Sequence, residues 1–298
     1  MKTIVLFFLL SLSSHAEPRT WTSADGRTME AEFVRGDDKN VTIKRGAQQF
    51  TLPLDKISEA DREYVSAKLA EAKHMDASEL GDYAKYATGN WVKGEEAKLP
   101  FQIYAPKSFV RDKPLPLVIF LHGVGERGND NEKQLNGLPK TFASAKNQGQ
   151  RPCIVVAPQC PPDKYWNSMP GEIIALTKSI AKHLPVDSKR IYLSGYSMGG
   201  YGVWSVLAED AKLYAAAIPI SGGGNPQNAR KMKDIPIWNF HGDADQTVNV
   251  SESRTMVEAL KKVKANITYT EMAGEGHGIS GKVLGDEKVQ EWLFSQKR

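Results

Sequence analysis

Gly195-Tyr196-Ser197-Met198-Gly199, directly after the apolar run Ile191-Tyr192-Leu193-Ser194, is the stretch that decides how this chain folds. It has the Gly-x-Ser-x-Gly spelling of a strand that turns sharply into a helix with a serine at the bend. A serine at the tip of so tight a turn is forced into a backbone conformation that most residues avoid, with positive φ. Its neighbours two positions away must be small, because a Cβ there would strike the opposite arm of the turn. The helix predicted over 199–207 turns its positive N-terminal end toward the serine oxygen. The five letters alone also recur in loops, so the strand before them and the helix after them carry the weight.

Outward from this bend the pattern repeats. Apolar, β-branched runs at 117–121, 153–157, 191–194, 215–220, 235–240 and 267–272 alternate with helical stretches at 172–183, 251–263 and 288–294. Strands apolar on both faces and interleaved with helices predict an α/β, doubly wound, mostly parallel sheet covered on both sides. In such a sheet, functional residues collect in loops at the carboxyl ends of the strands.

Four of those loops carry candidates. The first runs His122-Gly123-Val124-Gly125-Glu126-Arg127-Gly128. Its backbone N–H at Val124, beside Gly125, pairs with the N–H of Met198 as an expected oxyanion hole. A phosphate-cradling reading of the same glycines fails for want of a Gly-Lys-Ser/Thr ending. The second loop holds Ser197. The third is His241-Gly242-Asp243-Ala244-Asp245, where either aspartate can orient a histidine. The fourth, Gly274-Glu275-Gly276-His277-Gly278, supplies that histidine. The chain order Ser…Asp…His fits a nucleophile, an orienting acid and a general base, with His277 taking the Ser197 proton. His122 and His241 read as loop-shaping residues. A metal site from His241, Asp243 and Asp245 lacks an identifiable further partner, and the chemistry needs no metal and no organic cofactor.

Together, Leu121-His122-Gly123-Val124-Gly125-Glu126-Arg127-Gly128, Ala157-Pro158-Gln159-Cys160, Gly195-Tyr196-Ser197-Met198-Gly199-Gly200, His241-Gly242-Asp243-Ala244-Asp245 and Gly276-His277 make residues 90–298 resemble α/β-hydrolases. The likeness is to the phospholipase/carboxylesterase, feruloyl-esterase and polyhydroxybutyrate-depolymerase-like group. It implies Asp245 rather than Asp243 as the triad acid, and a serine carboxylic ester hydrolase acting through an acyl-enzyme. The implied substrates are esters linked to polysaccharide, feruloyl or acetyl. One departure is that Gly278-Ile279-Ser280 follows the histidine where relatives often carry an aromatic. In the loop 161–166, Trp166 either stacks on a sugar or aromatic acyl group or pins the loop. A serine peptidase or a lipid or thioester hydrolase shares the same triad, and a non-catalytic binding scaffold is the reading from another class.

Residues 17–70 follow a different grammar. Met29, Ala31 and Phe33 share one strand face, as do Val41 with Ile43 and Phe50 with Leu52. Turn signals at Asp25-Gly26, Gly36-Asp37-Asp38 and Arg45-Gly46 separate them, and Ser58 starts a helix. These residues predict a small all-β, barrel-like domain. Its Trp21-Thr22-Ser23-Ala24-Asp25-Gly26-Arg27, Ala31-Glu32-Phe33, Leu54-Asp55-Lys56-Ile57-Ser58 and Asp61 resemble the Sla homology domain. That resemblance implies a binding or positioning role toward a protein or a glycan; a stabilising appendage without ligand fits equally. Residues 71–89 read as a helical linker.

Lys2, the apolar stretch 4–12 and Ser14-His15-Ala16 spell a signal peptide over 1–16, which predicts a periplasmic or secreted protein with no membrane span in its mature form. The formal net charge is +4, and removing Lys2 leaves 4 − 1 = +3, too little and too spread for nucleic acid. Cys153 and Cys160 flank an extended run whose ends stand roughly 20 Å apart, so free thiols are expected.

Overall fold

The computed structural model describes residues 17–136 and 138–298; the predicted leader lies outside them. Two compact units divide the chain, the first ending at His74 and the second running from Met75 to Arg298. Among the described residues, no helix is long and apolar enough to cross a membrane.

In the first unit, β1 (Arg19–Thr22), β2 (Thr28–Gly36), β3 (Asn40–Arg45) and β4 (Gln48–Pro53) form an antiparallel sheet in the order of the chain. A bulge between Phe33 and Arg35 in β2 interrupts its register with β3. Trp21, Ala31, Val41 and Ile43 form the core with Ile57 and with Val65 of α1 (Glu59–Lys73). Ser58 caps that helix by accepting the Asp61 N–H. The buried Asp61 carboxylate in turn takes the Thr22 N–H at 2.7 Å and the Arg19 guanidinium at 2.7 Å, tying helix to first strand.

The sheet of the second unit opens with the hairpin β5 (Trp91–Glu96) and β6 (Leu99–Tyr104). There follow β7 (Leu115–Leu121), the short helices α2 (Pro139–Phe142) and α3 (Ala145–Gln150), β8 (Ile154–Pro158) and α4 (Pro170–His183). The chain continues through β9 (Val186–Tyr196), α5 (Met198–Asp210), β10 (Ala216–Ile220), β11 (Ile237–Gly242), α6 (Ser251–Lys262) and β12 (Ile267–Met272). It ends with α7 (Ser280–Gly285) and α8 (Glu287–Ser295). The eight strands lie in the order β12-β11-β10-β9-β7-β8-β6-β5, with β6 antiparallel to both neighbours and every other pair parallel.

The period of two along each strand sends alternate residues to opposite faces. Leu117, Ile119, Leu121, Ile191 and Leu193 join one buried cluster, whereas Val118, Phe120, Tyr192, Ile218 and Ile220 join another. Both faces are therefore core, as the unbroken apolar runs predict. From β7 the chain moves outward to β8, and from β9 it moves the other way to β10. The crevice between the ends of β7 and β9 is thus a topological switch point, where doubly wound sheets bind ligands.

Cys153 and Cys160 are free and buried, and burial pushes both thiols up to about 12. The helical stretch at 71–89 belongs mostly to the second unit: the Met75 N–H donates to Phe109 O, and Leu80 and Tyr86 enter its core.

Candidate active site

The bend at the end of β9 is held from both sides. Ser194 Oγ donates to Ile218 O at 3.0 Å, and the Ser197 N–H donates to Ile220 O at 2.9 Å. Ser197 itself has φ 55° and ψ −118°, a left-handed conformation that costs a non-glycine residue about 1–3 kcal/mol. A Cβ at Gly195 would strike the backbone of Gly199, as expected of the two arms of the turn. A Cβ at Gly199 would instead strike the carbonyl of Leu121 on the neighbouring strand, which the five-residue pattern by itself did not foretell.

Three loop ends converge on the serine. His277 Nε2 lies 2.9 Å from Ser197 Oγ, and His277 Nδ1 lies 2.7 Å from Asp245 Oδ2. With a carboxylate at Nδ1 the imidazole carries its proton there, which leaves the Nε2 lone pair facing the serine hydroxyl. Burial alone would raise the Asp245 carboxyl. The hydrogen bond from His277 and the N–H groups of Val248 and Thr247 outweigh that burial and hold the carboxyl below the usual range. Those two N–H groups meet Oδ1 at 2.9 and 2.8 Å, so each oxygen has its own donors. Asp243 points elsewhere: exposed, it accepts the Gly274 N–H at 2.7 Å and shapes the turn.

His241 does more than shape a loop. Its ring is fully buried, with Nδ1 2.7 Å from Ser253 Oγ and Nε2 2.9 Å from Val248 O. The same Nε2 lies 3.3 Å from Asp245 Oδ2, so one carboxylate oxygen sits between two imidazoles.

On the other side of the serine, Gly123 presses close: a Cβ built there would lie 3.7 Å from Ser197 Cβ. Val124 opens a single 3-10 turn, Val124–Glu126, and Met198 opens α5. First-turn N–H groups have no partner within their own helix, so both are available to a ligand. Val124 and Met198 line a cavity of ≈ 370 Å³ together with Tyr165, Asn167 and Tyr201. A second cavity, of ≈ 200 Å³, opens beside Gly123 and Tyr196.

Of the two readings of Trp166, a stacking surface or a pin for the loop, the structure fits the second. The residue is fully buried, its indole N–H donates to His122 O at 3.0 Å, and its Cβ fills the space a side chain at Gly202 would need. It pins the loop. The neighbouring Tyr165 is the exposed aromatic at the cavity, with the Arg127 guanidinium 4.7 Å from its ring centre.

His122 anchors the loop from beneath. Its Nε2 accepts the Cys160 N–H at 3.0 Å, which puts the ring proton on Nδ1 for donation to Gly123 O at 2.6 Å. Burial holds this imidazole down to about 4. An unfolded histidine protonates near 6.5, so between these values the unfolded chain binds the extra proton. Stability from keeping His122 neutral is therefore intact above pH 6.5 and drains as pH falls toward 4, by about 2 kcal/mol at pH 5. Urea unfolding at pH 7.5 and pH 5 checks this. The drop should shrink in His122→Gln, and equal drops in both proteins would refute it.

Comparison with known proteins follows the geometry. The Phospholipase/Carboxylesterase family matches residues 165–293. The chain is 27% identical over 174 residues to a bifunctional acetylxylan esterase/xylanase of Neocallimastix patriciarum, covering 55% of this chain and 24% of that protein. It is 30% identical over 159 residues to feruloyl esterase B of Piromyces equi, covering 48% of this chain and 28% of that protein. It thus spans about a quarter of the length of these curated relatives. A crystal structure of a thermostable esterase superimposes with a TM-score of 0.66 at 34% identity, over 70% of this chain and 63% of that one. The second unit has the α/β-hydrolase fold, and the part of it that holds the serine, the aspartate and the histidine is similar to phospholipases and carboxylesterases.

Proposed function

We propose that this chain is a serine hydrolase that cleaves carboxylic esters through an acyl-enzyme. The observation that carries the reading is the line of hydrogen bonds from Ser197 Oγ through His277 to Asp245, at 2.9 and 2.7 Å. Ser197 Oγ attacks the ester carbonyl while its proton passes to His277 Nε2. The N–H groups of Val124 and Met198 receive the oxyanion, where the positive end of α5 adds to them. As the carbon–oxygen bond to the alcohol breaks, His277 returns the proton to the leaving oxygen. A water then attacks the acyl-enzyme with His277 again as base, freeing the carboxylic acid and restoring Ser197. Asp245, ionised because its hydrogen bonds outweigh its burial, holds the ring tautomer and stabilises the imidazolium.

Likeness to an acetylxylan esterase and a feruloyl esterase supports acyl groups on polysaccharide, acetyl or feruloyl, as substrates. The leader spelling at 1–16 supports export. The domain at 17–70 is proposed to position the hydrolase unit near a polymer or a protein.

The purified chain tests the reading on p-nitrophenyl acetate, acetylated and feruloylated xylan, a thioester and a peptide, alongside a fluorophosphonate probe. Labelling and acyl release from xylan are the expected results. Absence of labelling would refute the hydrolase, whereas cleavage of the small ester alone would refute the polysaccharide substrate.

A further inference from the structure

The segment Ala157-Pro158-Gln159-Cys160 leads out of β8 and supplies neither a triad residue nor a proposed oxyanion donor. Gln159 is nonetheless fully buried, and its amide meets the loop that carries Val124. Its Nε2 donates to Glu126 O at 3.2 Å and to Asp130 Oδ1 at 2.9 Å, while its Oε1 accepts the Asn131 N–H at 2.7 Å. Two acceptors face the nitrogen and one donor faces the oxygen, so the amide has a single orientation with both of its N–H groups engaged. Asp130 also accepts the Glu132 N–H at 2.8 Å and the Lys133 N–H at 3.1 Å, which makes its carboxylate a fixed point of the loop. The backbone closes around this amide. The Gly128 N–H donates to Cys160 O at 3.0 Å, and a Cβ at Gly128 would stand 2.9 Å from Gln159 Nε2.

These contacts bracket the single turn Val124–Glu126. On its amino side, His122 Nε2 is held by the Cys160 N–H. On its carboxyl side, Glu126 O is held by Gln159. Val124 between them is 48% exposed, as a residue must be whose N–H is to meet a substrate. The turn's own hydrogen bond, from the Arg127 N–H to Val124 O, is long at 3.4 Å. Its direction therefore comes from the two brackets. A donor that is already aimed stabilises developing charge without reorganising when the reaction occurs.

Building on the ester-hydrolase reading, we infer that Gln159 is a positioning residue for the oxyanion: its amide clamps Glu126 O and Asp130 so that the Val124 N–H is aimed before substrate arrives. Gln159 touches no reacting atom. Its effect falls on the charged tetrahedral intermediate and not on the neutral ester that binds before it.

The test separates these two species in the full chain. The substrate is p-nitrophenyl acetate, and the probes are a phenethyl trifluoromethyl ketone and the corresponding methyl ketone. Ser197 Oγ adds to the trifluoromethyl ketone carbon, its proton passes to His277, and the carbonyl oxygen becomes an oxyanion; the methyl ketone stays neutral. Gln159→Glu keeps the size and an oxygen for the Asn131 N–H but sets an acceptor against Glu126 O and Asp130. It should lower kcat by about 30- to 100-fold with KM changed less than about threefold. Affinity for the trifluoromethyl ketone should fall by about the same factor as kcat/KM, and affinity for the methyl ketone should hold. Asp130→Asn keeps the shape, weakens the clamp by removing its charge, and should lower kcat about three- to tenfold with the same ketone pattern. Asp130 is partly exposed, so this change keeps the test available if Gln159→Glu fails to fold. Equal losses on both ketones, a rise in KM at constant kcat, or an unchanged kcat would each overturn the inference. A wild type active on the ester beside indifferent variants would overturn it alone. A wild type that neither labels with fluorophosphonate nor prefers the trifluoromethyl ketone would overturn the ester-hydrolase reading and the inference with it.

Discussion

Replacing Ser197 by alanine is expected to lower kcat on p-nitrophenyl acetate by about 10⁴- to 10⁶-fold while leaving the fold intact. In the proposed mechanism Ser197 is the one group whose removal abolishes the covalent route altogether. What would remain is the contribution of the proposed oxyanion donors, the Val124 and Met198 N–H groups, which stabilise charge but cannot attack. Alanine accepts the same φ of 55° with the same strain as serine, and the change deletes one oxygen from a residue only 8% exposed. Circular dichroism and the melting temperature should therefore stay close to wild type. Fluorophosphonate labelling should vanish in the same variant. Retention of even one tenth of the wild-type rate would mean that the chemistry runs elsewhere.

Gly199→Ala is expected to be the most damaging single methyl in the molecule. Helix propensity alone favours alanine over glycine by about 1 kcal/mol near the start of α5. Sterics oppose it, because the new Cβ would collide with the Leu121 carbonyl and crowd His122 O, and these are backbone atoms that no rotamer change can move. Separating β7 from α5 would open the core between them, a cost above about 4 kcal/mol that outweighs the propensity gain. The variant should be insoluble, or unfold at a much lower urea concentration than wild type. Gly149 in α3 is the matched control: a Cβ there meets nothing within 4 Å, so Gly149→Ala should be neutral or stabilising by up to about 1 kcal/mol. Similar urea midpoints for the two variants would refute the steric argument.

The doubly wound sheet was legible because its inner strands at 117–121, 153–157 and 215–220 are apolar throughout, a pattern that two-sided burial requires, whereas 267–272 at the sheet edge alternates with Thr268, Thr270 and Glu271. The hairpin β5–β6 escaped notice because Trp91-Val92-Lys93-Gly94-Glu95-Glu96 is an edge strand, half of it charged, with Pro100 in its partner. Among the site residues, the serine and the histidine stand in loops whose spelling is dictated locally. Asp243 and Asp245 differ only in how their turn is wound, so the residues left both open until the resemblance and then the hydrogen bonds separated them. Trp166 was undecided for a similar reason. A tryptophan in a loop suits a ligand or a core, and the missing side chain of Gly202, 36 residues later, makes room for it in the core. The contact of His241 with Asp245 lies within one short loop, but the winding of that loop, which brings the His241 ring back to the carboxylate four residues on, has no sequence signal.

The position of His277 has a consequence for how the protein matures. Ser197 follows β9, an interior strand, whereas His277 follows β12, the outermost strand, all of whose residues are half-buried or exposed. Edge elements with few buried groups open at lower free energy than the centre of a domain. The proposed nucleophile thus follows an interior strand and its proposed base an edge strand. During synthesis β12 is also the last strand to emerge, so the bend at Ser197 can form while the protein is still chemically silent. In the proposed mechanism reactivity is expected to begin only when this strand docks, and to be lost in mild denaturant before the circular dichroism of the sheet changes.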